Sequence, residues 1–152
     1  MAWDLVDYGV AAGLLTAVAG GITLAFRRSP NASYRFAAAV AVLAAFLLAW
    51  INGAVGIIGS ENNDANLMYA GVIACLVVGA AVVRLRPAGM SRVVFAAAAA
   101  QIAVGVIALA GNLGTEGNSW PRDVIVLTAF FALLWLLSGW LFRRAAAAAP
   151  SA

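Results

Sequence analysis

Neither histidine nor lysine occurs among the 152 residues, and cysteine occurs once, as Cys75. These absences remove whole classes of chemistry. A haem held by imidazole, a His-based zinc site, a Schiff base on lysine, an internal disulfide and a Cys–His nucleophile have no residues to form them. Charge is almost as scarce: 10% of residues are charged and 65% apolar, where a soluble domain has roughly a quarter and a half. A water-facing surface could not be covered with so little charge, so the composition points to a membrane protein.

The few charges punctuate the chain. Between them lie five uninterrupted apolar stretches, about 8–26, 36–59, 65–83, 93–113 and 124–142. Each is near the ~20 residues that a helix needs to cross the hydrocarbon core. Barrel strands alternate along their length, and these runs do not. All four prolines (Pro30, Pro87, Pro121, Pro150) fall outside the stretches. The expected fold is therefore all-α, a single bundle of five transmembrane helices over 1–145, with 146–152 as a short tail. Loops this short leave no room for a soluble domain.

Orientation follows from the arginines. Arg27, Arg28 and Arg35 lie in one loop, Arg84, Arg86 and Arg92 in another, and Arg143 and Arg144 in the tail. With five spans, these eight of nine basic residues share one side, and all six acids fall on the other. The positive-inside rule makes the arginine side cytoplasmic, with the N-terminus outside and the C-terminus inside. The basic balance is thus a topology signal and not a nucleic-acid signal. The expected partner of these arginines is the bilayer and its anionic headgroups. A signal peptide carries positive charge before its apolar run, whereas here Asp4 and Asp7 precede and Arg27 and Arg28 follow. The first stretch therefore reads as a retained helix. Asn31-Ala32-Ser33 matches a glycosylation sequon on the side where it is expected to be inert.

Helices in lipid associate through close contact of small residues. Rows at four-residue spacing occur in the first span (Gly9, Gly13, Ala17, Gly21, Ala25), the second (Ala37, Ala41, Ala45, Ala49, Gly53) and the third (Gly71, Cys75, Gly79). These rows are the expected packing seams, with Cys75 a small packing residue. The fifth span is bulky all round, with Phe130, Phe131, Trp135 and Trp140, and is expected to face lipid or dock on a partner. Trp3, Tyr8, Tyr69 and Trp120 are expected in the outer aromatic belt, and Tyr34 and Trp140 in the inner one. A faint internal echo, Ala54-Val55-Gly56-Ile57-Ile58 against Ala103-Val104-Gly105-Val106-Ile107, suggests two parallel hairpins behind a leading helix.

No ionisable side chain lies deep in any stretch, which disfavours proton pumps, voltage sensors and most ion-coupled transporters. Amides remain. Asn52 and Gln101 are each expected near the midplane, as interhelical hydrogen bonds that fix register or as the lining of a site. The segment Gly59 to Asn66 carries two carboxylates and three amides. With Glu116 it offers a candidate outer-face site of Glu61, Asp64 and Glu116, although Asn63 or Asp64 as a helix cap accounts for part of the pattern.

The strings Trp50-Ile51-Asn52-Gly53-Ala54-Val55-Gly56-Ile57-Ile58-Gly59-Ser60-Glu61-Asn62-Asn63, Asn66-Leu67-Met68-Tyr69 and Arg84-Leu85-Arg86-Pro87-Ala88-Gly89-Met90-Ser91-Arg92 resemble a group of small uncharacterised bacterial inner-membrane proteins. The resemblance implies a multi-pass setting in that membrane and no activity. Together these features favour a non-enzymatic integral subunit, without cofactor or metal, that assists or assembles a larger membrane complex or self-associates. An oligomeric small-solute or ion transporter or channel is the alternative.

Overall fold

The computed structural model describes residues 5–148, so the expectations for Trp3, Asp4 and the last four residues of the tail lie outside the described residues. Five helices follow in order: α1 (Leu5–Arg28), α2 (Ala32–Ala54), α3 (Leu67–Val82), α4 (Pro87–Ala110) and α5 (Arg122–Ala147). No strand occurs among the described residues. All five helices are long and apolar enough to cross a membrane, α3 when taken with the 3-10 turn Asp64–Asn66 that leads into it.

Local chemistry sets where the helices begin. The Asn31 carboxamide oxygen accepts from the Tyr34 backbone N–H at 3.1 Å and caps α2, which gives the sequon asparagine a structural task. Asn63 does the same for the 3-10 turn, accepting from the Ala65 N–H at 2.9 Å. Pro87 opens α4 in its first turn, where the missing N–H costs nothing.

The helices alternate in direction, so like-charged loops meet. At one end the Arg28 guanidinium donates to the Arg84 carbonyl at 3.0 Å and the Tyr34 hydroxyl to the Leu85 carbonyl at 2.7 Å. At the other end the Asn63 amide donates to the Glu116 carboxylate at 2.6 Å. The arginine loops thus gather at one end of the bundle and the carboxylates of Glu61, Asp64 and Glu116 at the other.

Helix α5 stands at the centre, which corrects the expectation that it is bulky towards lipid or a partner all round. It packs along α4 on one side and α2 on the other, burying Phe131, Trp135, Ser138, Gly139 and Phe142. Its opposite face keeps Phe130, Leu133, Leu136, Leu137 and Trp140 exposed. The sequence hides this because both faces are apolar, and only small and hydroxylated residues distinguish the inner one. Ser138 donates to the Ala37 carbonyl of α2 at 2.8 Å, while Ser91 of α4 donates to the Gly139 carbonyl at 2.9 Å. Gly139 lets the Phe95 ring lie directly on the α5 backbone, and Gly105 does the same for Thr128.

Helix α3 leans on α4, with Val93 seated on Gly79, and touches α2 only lightly. Helix α1 rests on α2 and buries only Ala25. Its row of small residues does not form one seam, as the sequence suggested. Steps of four residues drift by about 40° each, so the row winds around the helix. Gly21 meets Val42 and Ala25 is buried, whereas Gly9 and Gly13 face open space. The second row holds better, with Ala37 and Ala41 buried, although Gly53 is exposed. In the third row Gly71 and Cys75 are exposed, so Cys75 is not a packing residue.

Two further expectations change. The stretch expected to run as a span to residue 59 leaves the helix at Ala54 and folds into a loop whose Ile57 and Ile58 are buried. Tyr34 and Tyr69, expected in aromatic belts, are 2% and 0% exposed and belong to the core. Trp140 does lie on the surface, with the Arg144 guanidinium 4.9 Å from its ring centre.

Candidate functional site

The acidic end is closed by a folded cap. The loop after α2 wraps around Asn66, which is 5% exposed and uses all four hydrogen-bonding positions of its amide. Its oxygen accepts from the backbone N–H groups of Ile57 and Ile58, at 3.0 and 2.9 Å. Its nitrogen donates to the carbonyls of Ile58 and Ser60, at 3.2 and 2.6 Å. The loop can turn this tightly because Gly56 and Gly59 adopt φ of +70° and +76°, in the left-handed region that side chains disfavour. A Cβ at Gly59 would collide with the Glu116 carboxylate, so the loops after α2 and α4 interlock.

Asn52 belongs to this cap. It lies about 3 Å along the axis from the end of α2, and not at the midplane, because the helix stops at Ala54. Its amide nitrogen donates to the Asn66 carbonyl at 3.0 Å, while its buried oxygen has no partner. Of the outer carboxylates, Glu116 accepts from Asn63, Glu61 is approached by the Asn62 amide at 3.4 Å, and all three are exposed with Asp64. Among the described residues no three acidic or sulfur ligands converge as a metal site would need. The arrangement binds two loops together.

Gln101 lies about 14 Å from the Ala110 end of α4. It is 0% exposed, and neither its amide oxygen nor its nitrogen finds a hydrogen bond. Gly105 against Thr128 and Phe95 against Gly139 set the antiparallel register, which brings Gln101 level with Ala132. Buried polar atoms without partners recur along this part of the bundle: the Trp135 indole N–H, the Thr128 hydroxyl and the Tyr69 hydroxyl. The last two face each other without reaching hydrogen-bond geometry. Gln101 and Asn52 are far apart along the bundle and form no joint site. The axis itself is filled, since Leu48, Phe131, Trp135 and Phe142 are each 1% exposed or less.

Asn66, the residue that organises the cap, was not singled out by the sequence reading. The available signal was redundancy. Asn63 and Asp64 already suffice to start a helix, which leaves a third polar residue with no capping task. Thr128 carried the signal of any hydroxyl within an apolar span, whereas Trp135 carried none, because a tryptophan in an apolar run is as readily lipid-facing as buried.

At the arginine end, Arg84 and Leu85 hold φ of +53° and +57°. Side chains in this region cost on the order of 1 kcal/mol or more each and persist only where surroundings fix them. Here the carbonyls of both residues are held, by Arg28 and by Tyr34. Arg35 is also committed: it donates to the carbonyls of Ser29 and Phe26 at 2.9 and 3.2 Å and stacks 4.7 Å over the Phe26 ring. Between α1, α2 and α3 a crevice of about 330 Å³ opens to the side of the bundle, almost wholly apolar in its lining. No family model, curated protein or solved structure matches the chain.

Proposed function

We propose that the protein is a small multi-pass subunit of the bacterial inner membrane that assists or assembles a larger membrane complex, attached to it through α1. The observation that carries this reading is the state of α1, a helix of 24 residues of which only Ala25 is buried. Gly9, Gly13, Thr16 and Gly20 lie within about 60° of one another around its axis, all exposed, and a Cβ at any of the three glycines would meet nothing within 4 Å. Lipid fills such a surface poorly, and another helix backbone fills it well, so a small-residue face favours helix association. The arginine-rich end faces the cytoplasm in this reading, following the positive-inside rule.

The test is purification at native expression level in mild detergent, followed by native mass spectrometry. Stoichiometric recovery with a larger membrane assembly, lost in Gly9→Leu/Gly13→Leu while the bundle keeps its melting temperature, is the expected result. A homo-oligomer whose assembly ignores those substitutions would overturn it.

A second reading, an oligomeric transporter, is favoured by the unpartnered polar atoms of Gln101, Thr128 and Trp135. The axis of one copy is filled, so such a path would open only by displacing the side chains packed around Gln101. Solute uptake by reconstituted vesicles that is abolished by Gln101→Leu would select it.

A further inference from the structure

We propose that the crevice between α1, α2 and α3 seats one acyl chain of an anionic phospholipid, with its phosphate held by Arg28 and Arg84. The shape fits a lipid of the leaflet at the arginine end. Along α1 the lining runs from Leu14 to Ala25, about 17 Å, close to the ~15 Å depth of one leaflet. Val42 and Val77 form the opposite walls, and Leu85 and Tyr34 close the arginine end. The Tyr34 hydroxyl, the one polar group among the side chains that line it, is already spent on the Leu85 carbonyl, so the interior offers a guest nothing but apolar contact.

Charge decides which lipid. Arg28 stands beside Tyr34 at the closed end, and Arg84 precedes the lining residue Leu85. The segments 27–35 and 84–92 hold six arginines and no acid. The fixed positive charge at the arginine end of the crevice is therefore uncompensated by the chain's nearby loops. The Arg28–Arg84 carbonyl bond and the left-handed turn at Arg84 and Leu85 hold the two guanidinium-bearing loops together. An anionic headgroup is the complement of that arrangement, and its acyl chain has an adjoining slot. Basic pockets between membrane helices bind anionic headgroups on this principle.

The experiment embeds the full chain in bilayers of phosphatidylglycerol and phosphatidylcholine with identical acyl chains. Native mass spectrometry then counts the lipids retained on release. One phosphatidylglycerol is expected to stay bound in preference to phosphatidylcholine. Arg28→Gln/Arg84→Gln should weaken that preference by about 30-fold, each arginine contributing about a factor of five. Ala45→Phe, which fills the crevice from α2, should abolish retention of either lipid. A phosphatidylglycerol carrying a diazirine in mid-chain provides an independent reading on the unaltered protein. Adducts on Val18, Val42 or Val77 support the proposal. Equal retention of both lipids, adducts concentrated on the outer face of α5, or a polypeptide crosslinked in the crevice in place of lipid would each overturn it.

Discussion

The Tyr34 hydroxyl of α2 donates to the carbonyl of Leu85 at 2.7 Å, and Leu85 is one of two consecutive residues in the left-handed region. The bond ties the start of the second helix to the turn between the third and fourth. The same tyrosine ring makes a T-shaped contact with Phe142 of α5, with centroids 5.2 Å apart and planes at 78°. One side chain thus fastens three elements at the arginine end, where like charges would otherwise push the loops apart. Tyr34→Phe keeps the ring contact and removes only the hydroxyl. A single neutral hydrogen bond is worth about 1 kcal/mol, and the expected drop in melting temperature in detergent is about 2–4 °C. Tyr34→Ala should cost several times as much.

The opposite end depends on Asn66. Its amide makes four bonds to the loop after α2, and its carbonyl accepts a fifth from Asn52. Asn66→Leu would leave the Ile57 and Ile58 N–H groups without their acceptor, at about 1–3 kcal/mol for each buried group left unpaired. Asn52→Leu removes one bond, worth about 0.6–2 kcal/mol in a membrane bundle. Thermal unfolding in detergent should therefore rank Asn66→Leu well below Asn52→Leu. Hydrogen exchange should localise the loss to residues 55–66.

Gln101 presents the reverse case. With neither end of its amide paired and no exposure, it carries a desolvation cost that nothing in the fold offsets. Gln101→Leu is expected to leave the bundle unchanged or to raise its stability by about 1 kcal/mol. Clear destabilisation in chemical denaturation would instead mean that a polar guest occupies this level of the bundle.

The five helices and the separation of arginines from carboxylates were legible in the sequence because each rests on a one-dimensional property, run length or charge order. What stayed hidden depends on which way a side chain turns. A small-residue row at four-residue spacing drifts around its helix, so Gly9 and Gly21 belong to different faces although the pattern is unbroken. The expected span to residue 59 continued past Ala54 because Val55, Ile57 and Ile58 are apolar; they are so because the loop folds back onto the bundle and buries the two isoleucines. The same folding moved Asn52 from the expected midplane to a cap. The inner face of helix α5 is hidden for a related reason: bulk does not distinguish lipid from protein as a neighbour.

Orientation is open to direct labelling because the chain has a single cysteine. In a Cys75→Ala background, Ser60→Cys lies in the acidic-end loop and Ser29→Cys in the arginine-end loop. An impermeant maleimide applied to intact cells with the outer membrane opened should label Ser60→Cys and spare Ser29→Cys. The opposite pattern would invert the proposed orientation. Cys75 itself, exposed on the outward surface of α3, should react only with a membrane-permeant reagent.

Two glycine substitutions separate packing inside the bundle from packing against a partner. A Cβ at Gly139 would stand 2.7 Å from the edge of the Phe95 ring, closer than real contacts allow, on a buried face where α4 and α5 meet. Overpacking of this kind costs about 1–3 kcal/mol, so Gly139→Ala should lower the melting temperature of the purified protein. Gly13→Ala introduces the same methyl group into open space within a helix that gains from alanine's higher propensity. The isolated protein should tolerate or welcome it. If α1 docks through this face, Gly13→Leu should weaken the assembly in the membrane without altering the isolated protein's melting curve. A melting curve that falls with Gly13→Leu would place the face inside the bundle and remove the argument for an external partner.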